Sequence, residues 1–264
     1  MSQPAVAALA PLPFELVYDD GEPLDSNWHR IQMSLFINVT RQAMAERERT
    51  DFFVGANMFV YYSFEQARDI AADPEGSKQF RGPDIFFVGG VPVRHDRQVW
   101  VVWEEGDRYP DVIIELLSPS TMKKDRTVKK ALYARTFRTA EYYLYRIETQ
   151  TLEGFRLAGD NYQPMTPDAR GRFWSGKLGL DLGLWQGRIE EQDATWIRLF
   201  DREGRMIPTD AEAEHQRAEA DRRRAEAERR RAEEAEAREE AERQRAETAE
   251  AELARLRARL GEGE

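Results

Sequence analysis

The chain has 264 residues, 39 Lys and Arg against 49 Asp and Glu, a net charge of −10 and no cysteine. That length predicts one to two domains, and the missing cysteine excludes a disulfide framework, a thiolate metal site and a cysteine nucleophile. His29, His95 and His215 are the only histidines, so a multi-histidine zinc site is nearly excluded as well. No apolar run reaches the length of about 18 residues that a membrane span requires. The N-terminus has neither the basic stretch nor the long apolar core of a secretory signal, so the expected setting is a soluble, cytoplasmic protein.

In chain order, residues 1–12 are expected to be a flexible N-terminus. Residues 26–44 predict an amphipathic helix with Ile31, Met33, Leu35, Phe36, Val39 and Met44 on its apolar side and Ser26 or Asn27 at its N-cap. Strands are expected at Asn57–Ser63, Asp84–Val88, Trp100–Trp103 and Asp111–Leu117; these stretches are β-branched, aromatic or continuously apolar. Ser118-Pro119-Ser120-Thr121 breaks the last of them. A helix follows from about Lys124 to Thr136, then strands at Glu141–Ile147, Leu152–Leu157, Asn161–Pro164 and Trp196–Phe200. Turns are expected at Gly154, at Gly159-Asp160 and at Glu203-Gly204. A helix, several strands, a second helix and further strands imply an α/β or α+β domain around one mixed sheet.

The composition changes abruptly at the end. Of the 55 residues from Asp210 to Glu264, 44 are Ala, Glu or Arg, which is the makeup of a long helix rather than of a packed core. Thr209 and Glu212 have capping-box spacing after Pro208. Ala246, Ala249, Leu253, Leu256 and Leu260 repeat at 3-4 spacing, as a coiled-coil seam does. Residues 210–264 are therefore read as a charged helix, with two readings open. It is an oligomerisation helix whose seam is 246–260, or a solvated single helix held by Glu–Arg pairs.

Two acids stand in apolar strand sequence, Asp84 and Glu115. A carboxylate in such a strand must be paired, hydrogen-bonded or bound to metal. Strand alternation puts Asp111 on the Glu115 face. Four of the six lysines, Lys123, Lys124, Lys129 and Lys130, follow directly. Asp125, Lys129 and Tyr133 share one helix face. Read plainly, they are an Asp–Lys helix pair and a packed tyrosine. Read functionally, a lysine turns toward two carboxylates that would hold a hard cation such as Mg²⁺, the equipment of metal-assisted phosphodiester hydrolysis.

At these residues the sequence resembles a family. Pro83-Asp84, PDVIIELLSPST at residues 110–121, Asp125…Lys129…Tyr133 and AEYYLY at residues 140–145 resemble the Uma-two family of endonucleases, members of the PD-(D/E)xK superfamily. The resemblance spans residues 13–209. It implies an α/β, restriction-endonuclease-like fold with a mixed β-sheet flanked by helices, and a Mg²⁺ (or Mn²⁺) cofactor acting on DNA. It assigns Asp84 and Glu115 as metal-binding acids, the Leu116 carbonyl as a further metal ligand, and Lys129 as a lysine migrated from the strand position that Leu117 occupies here. His29, Asp111 and Asp125 are the candidate helpers. DNA binding by a part carrying a charge of −5 would rest on a local patch of Lys123 to Lys130 with Arg126 and Arg135. The rival reading is a non-catalytic scaffold or regulatory module that keeps the nuclease-like fold and oligomerises through its tail. A glycosidase-like carboxylate pair ranks behind both, since it leaves the lysine-bearing helix unexplained.

Overall fold

The computed structural model describes residues 13–18, 24, 26–73, 82–94, 96–119 and 121–261. The 1–12 segment, His95, Ser120 and the Leu260 side chain lie outside them. The chain forms two compact units, 1–210 and 211–264.

In the first unit a six-stranded mixed sheet carries the architecture, in the order β1-β3-β5-β6-β7-β8. Its strands are β1 (Phe52–Ala56), β3 (Ile85–Gly89), β5 (Val112–Leu117), β6 (Glu141–Arg146), β7 (Thr151–Ala158) and β8 (Asn161–Pro164). Only β5 and β6 run parallel; every other neighbour is antiparallel. A parallel pair needs a crossover. Here it is the helical segment made of α3 (Met122–Lys124), a π-helical turn (Asp125–Lys129) and α4 (Lys130–Arg135). β2 (Val60–Tyr61) and β4 (Trp100–Val101) form a small parallel pair beside α2 (Phe64–Ala72). A second antiparallel sheet contains β9 (Phe173–Ser175), β10 (Leu180–Ile189) and β11 (Gln192–Phe200).

The period of two along β5 divides its side chains between two cores. Val112, Ile114 and Leu116 join the cluster under α1 (Asn27–Ala45). Ile113 and Leu117 join the cluster under α4, with Phe86, Tyr133, Tyr142 and Leu144. Both faces are covered, so β5 reads as an unbroken apolar run with one acid in it. Helix α1 is fixed to β11 by the Gln32 side chain, which accepts from the Ile197 N–H at 2.8 Å and donates to its carbonyl at 3.2 Å. Trp28 stacks between Tyr145 and Trp196.

The expected order of helix, strands, helix and strands is present, with local differences. Asn57–Ser63 contributes only the two residues of β2, because the sheet strand is the preceding Phe52–Ala56. Trp100–Trp103 is likewise cut to Trp100–Val101. Gly154 lies inside β7 instead of at a turn. A Cβ there would sit 2.9 Å from the Phe173 ring, so this glycine serves a close packing contact. Gly159 and Gly204 do occupy turns, both with positive φ. Helix α2 and strands β9 and β10 add to the expected elements.

The second unit is helical. Helix α5 runs Asp210–Gly261, 52 residues, roughly 78 Å at 1.5 Å per residue. Its described side chains beyond Ala213 are exposed, and pairs such as Arg229–Glu233 at 2.8 Å line its surface. No described helix is long and apolar enough to cross a membrane.

Phe36 is fully buried between α1 and the sheet. Phe36→Ala is expected to cost about 3–5 kcal/mol, read as a lower urea midpoint at unchanged slope. An unchanged midpoint would contradict this packing.

Candidate active site

The chain enters β3 through Gly82-Pro83-Asp84. A Cβ on Gly82 would lie 1.5 Å from the Met58 carbonyl oxygen, so only glycine lets the two backbones pass this closely. Asp84 then stands at the start of β3, next to β5, whose register pairs Ile85 with Ile114. Two hydrogen bonds join the acids of the two strands. The Leu116 N–H donates to Asp84 Oδ2 at 2.6 Å, and the Asp84 N–H donates to Glu115 Oε2 at 3.3 Å.

Glu115 has no exposed surface. Its Oε2 accepts from Lys129 Nζ at 3.0 Å and its Oε1 accepts from the Tyr133 hydroxyl at 2.8 Å. Lys129 Nζ lies 3.0 Å from Asp125 Oδ1 as well, and its side chain is 12% exposed. One buried ammonium thus bridges acids from a strand and a helix. The π-helical turn carries Asp125 and Lys129, and such widened turns recur at functional sites. The Asp125 carbonyl at its start accepts the Tyr142 hydroxyl at 2.9 Å.

The electrostatics follow from burial. Burial pushes the Glu115 carboxyl well above the usual range against the pull of Lys129. Burial also raises Asp84, with Lys129 and the Leu116 N–H acting against it. Burial alone would lower Lys129, but Glu115, Asp84 and Asp125 outweigh it and raise the ammonium above its ordinary value. Lys129 therefore stays charged at neutral pH. Tyr133 is raised far by burial and by Glu115 and stays a neutral donor.

His29 approaches from the other face of the sheet. Its Nε2 lies 3.2 Å from the Leu116 carbonyl oxygen, and its Nδ1 lies 2.8 Å from Ser26 Oγ, the N-cap of α1. A carbonyl only accepts, so Nε2 carries a proton. One lone pair of the Leu116 oxygen remains.

Asp84, Glu115, Asp125 and Lys129 thus come together, and His29 reaches Leu116. Asp111 does not join them. It sits four residues before Glu115, roughly 13 Å along the strand. There it accepts the Gly89 N–H at 2.9 Å and pairs with Lys177 at 2.8 Å. Glu141 of the AEYYLY stretch is also structural, accepting the Ser175 hydroxyl and the Gly176 N–H. Tyr133 was legible as a packed tyrosine one turn beyond Lys129 and as part of the family motif, with no role assigned; its hydroxyl orients Glu115. Tyr142 gave no separate signal. Part of the basic patch is engaged within the fold. Arg126 forms a two-bond fork on Glu153, and Lys130 lies over the Phe155 ring, 3.3 Å from its centroid.

The family described as "Uma2: Putative restriction endonuclease" matches residues 11–192. The chain belongs to this family. Among solved structures it is similar to a "putative nuclease belonging to DUF820 from Anabaena variabilis ATCC 29413". That similarity has a TM-score of 0.37 and 16% identity, covering 58% of this chain and 77% of that one. No curated protein matches.

Removing the buried ammonium tests the electrostatics. Lys129→Met would leave Glu115, Asp84 and Asp125 without their cation, at a cost of roughly 3–5 kcal/mol near neutral pH. Asp84 and Glu115 already titrate above their unfolded values, and the variant raises them further. The folded state then binds more protons than the unfolded one, so stability falls as pH rises through the folded values. The deficit of Lys129→Met should therefore shrink on acidification toward about pH 5, measured by urea denaturation across pH. A deficit independent of pH would contradict this account.

Proposed function

We propose that this Uma2-family chain is a metal-dependent DNA endonuclease that hydrolyses phosphodiester bonds at Asp84, Glu115 and Lys129. The observation that carries the reading is the junction of β3 and β5, where Asp84 and Glu115 meet through main-chain hydrogen bonds beneath the Lys129 ammonium. All the donors there are oxygens, two carboxylates and the Leu116 carbonyl, which fits a hard cation such as Mg²⁺ or Mn²⁺. When bound, such an ion polarises a phosphoryl oxygen and lowers the pKa of water. Asp84 would offer Oδ1, because Oδ2 holds the Leu116 N–H. Glu115 would be kept in one orientation by Tyr133. His29, donating to the Leu116 carbonyl, would hold that oxygen's direction. Lys129, remaining protonated, would orient water or stabilise charge on phosphate; it would not act as the base. Asp125 would keep the ammonium in place.

Supercoiled plasmid and single-stranded DNA, incubated with the full chain and Mg²⁺ or Mn²⁺, are expected to be cleaved. Cleavage should stop with EDTA and fall by at least about a hundredfold in Asp84→Ala and Glu115→Ala, the scale expected when an electrostatic stabiliser is removed. Cleavage that persists unchanged in both variants would reject the assignment, as would an inert wild type.

One observation favours the scaffold reading. Among the described residues no group of three or more His, Cys, Asp or Glu side chains could hold a metal ion, and Lys129 already occupies Glu115 Oε2. Calorimetric titration separates the two. Mg²⁺ or Mn²⁺ binding that is lost in Asp84→Ala supports the nuclease, and its absence in the wild type supports the scaffold.

We also propose that α5 self-associates through 246–260. Leu253 and Leu256 are each 51% exposed on the single helix, with Ala246 and Ala249 continuing the stripe, so a second helix would cover them. Sedimentation should show weak, concentration-dependent association of the full chain and a monomeric 1–209 truncation. Identical monomeric behaviour would reject the seam.

A further inference from the structure

We infer that Arg146 is the phosphate-contacting cation of this site, an inference that rests on the nuclease reading above. Arg146 is the last residue of β6, and the parallel register sets it opposite Leu117 of β5. Leu117 is the position two residues after Glu115, where the simple superfamily pattern would place its lysine. Tyr142 and Leu144 of β6 lie in the same core as Ile113 and Leu117, so the alternation puts Arg146 on the Glu115 face. Glu115 pairs with Leu144, so Arg146 stands one diagonal step further, roughly 8 Å from Glu115 between Cα atoms. Both strands point their carboxyl ends to this edge, where ligands of parallel strands gather.

The state of the side chain points to an anion. Arg146 Nε is buried and has no hydrogen-bond partner among the described residues. Its guanidinium touches Met122 Sδ, a weak acceptor, and no described carboxylate forms an ion pair with it. Its neighbours differ. Arg126 is held by Glu153, and Lys129 by Glu115 and Asp125. A desolvated donor without an acceptor is costly to keep. A planar guanidinium fork matches the oxygens of a phosphate diester. Arg146 therefore supplies, from the adjacent strand, a positive charge without a described counter-ion beside the Lys129 ammonium that Glu115 and Asp125 share.

The test compares the wild-type full chain with Arg146→Gln and Arg146→Lys, checked for fold by circular dichroism. Binding of a fluorescein-labelled oligonucleotide duplex is measured with Ca²⁺ over a range of salt, beside plasmid cleavage with Mg²⁺. Arg146→Gln should bind about tenfold more weakly. Its log–log salt slope should be shallower by about 0.9, the signature of one lost phosphate contact. Arg146→Lys should recover the slope. Weaker binding at unchanged slope would mean that Arg146 only packs on Met122, and would overturn the inference, as would unchanged affinity. If Arg146→Gln loses its fold, Arg146→Met carries the same comparison. A wild type that cleaves while Arg146→Gln binds normally rejects the Arg146 role alone; a wild type that neither binds nor cleaves rejects the nuclease reading with it.

Discussion

The Lys129 ammonium lies 3.0 Å from the carboxylates of both Glu115 and Asp125, and the packing around β5 depends on it. Glu115 sits in the middle of a strand covered on both faces, where an isolated charge would cost more than a single domain can bear. The cation makes that placement tolerable, and it also fixes the position of the helical crossover. Lys129 must reach the sheet, so the π-helical turn lies against β5. Tyr133, one turn on, then meets the other carboxylate oxygen. Tyr142 of the next strand closes the arrangement on the Asp125 carbonyl. Losing the ammonium would unsettle a strand, a helix and the neighbouring strand together.

On the proposed nuclease reading, the same geometry would let Leu117 stand where the simple pattern has lysine. A charge acts through its position, and the backbone that delivers it is immaterial. A side chain from Leu117 would share the core of Ile113 and Phe86. A side chain from the crossover enters that face from above and meets Glu115 at hydrogen-bond distance. With Leu117 apolar, the core beneath α4 stays continuous.

Elements whose periodicity agreed with their surroundings were legible in the sequence. Helix α1, strands β3, β5 and β6 and the long α5 were each marked by an apolar stripe, an apolar run or a biased composition. Elements were missed where a local signal had two meanings. Gly154 reads as a turn, although its missing side chain makes room for Phe173. Strand β10 also carries glycines that make room for rings, Gly187 lying under the Trp185 ring. Ser63 and Gln66 form a reciprocal cap for α2, with Ser63 Oγ accepting from the Gln66 N–H and Gln66 Oε1 accepting from the Tyr62 N–H. That S-x-x-Q spacing was readable, but the aromatic run before it pointed to a strand. At the candidate site, the convergence of Asp84, Glu115 and Lys129 could be anticipated from the acids in apolar strands and from the family resemblance. The engagement of Asp111 could not, because Lys177 and the Gly89 N–H are brought to it only by the fold.

Net charge is a poor guide to what this surface can bind. Half of the −10 belongs to the tail, and two cations of the basic patch beside β5 are neutralised within the fold. Arg126 is matched by Glu153, and Lys129 by two buried acids. What matters for a polyanion is the charge left without a counter-ion near the reacting atoms, because an ion pair on the protein must be broken before either partner can serve a phosphate. On the Arg146 proposal, the two paired cations of the patch, Arg126 and Lys129, count for less than one guanidinium at the open end of β6. An acidic domain can therefore engage DNA if its unpaired cations stand at the edge where the two catalytic carboxylates are proposed to work. The long-range repulsion of its remaining acids would then be a screened, salt-dependent term on the rate of encounter.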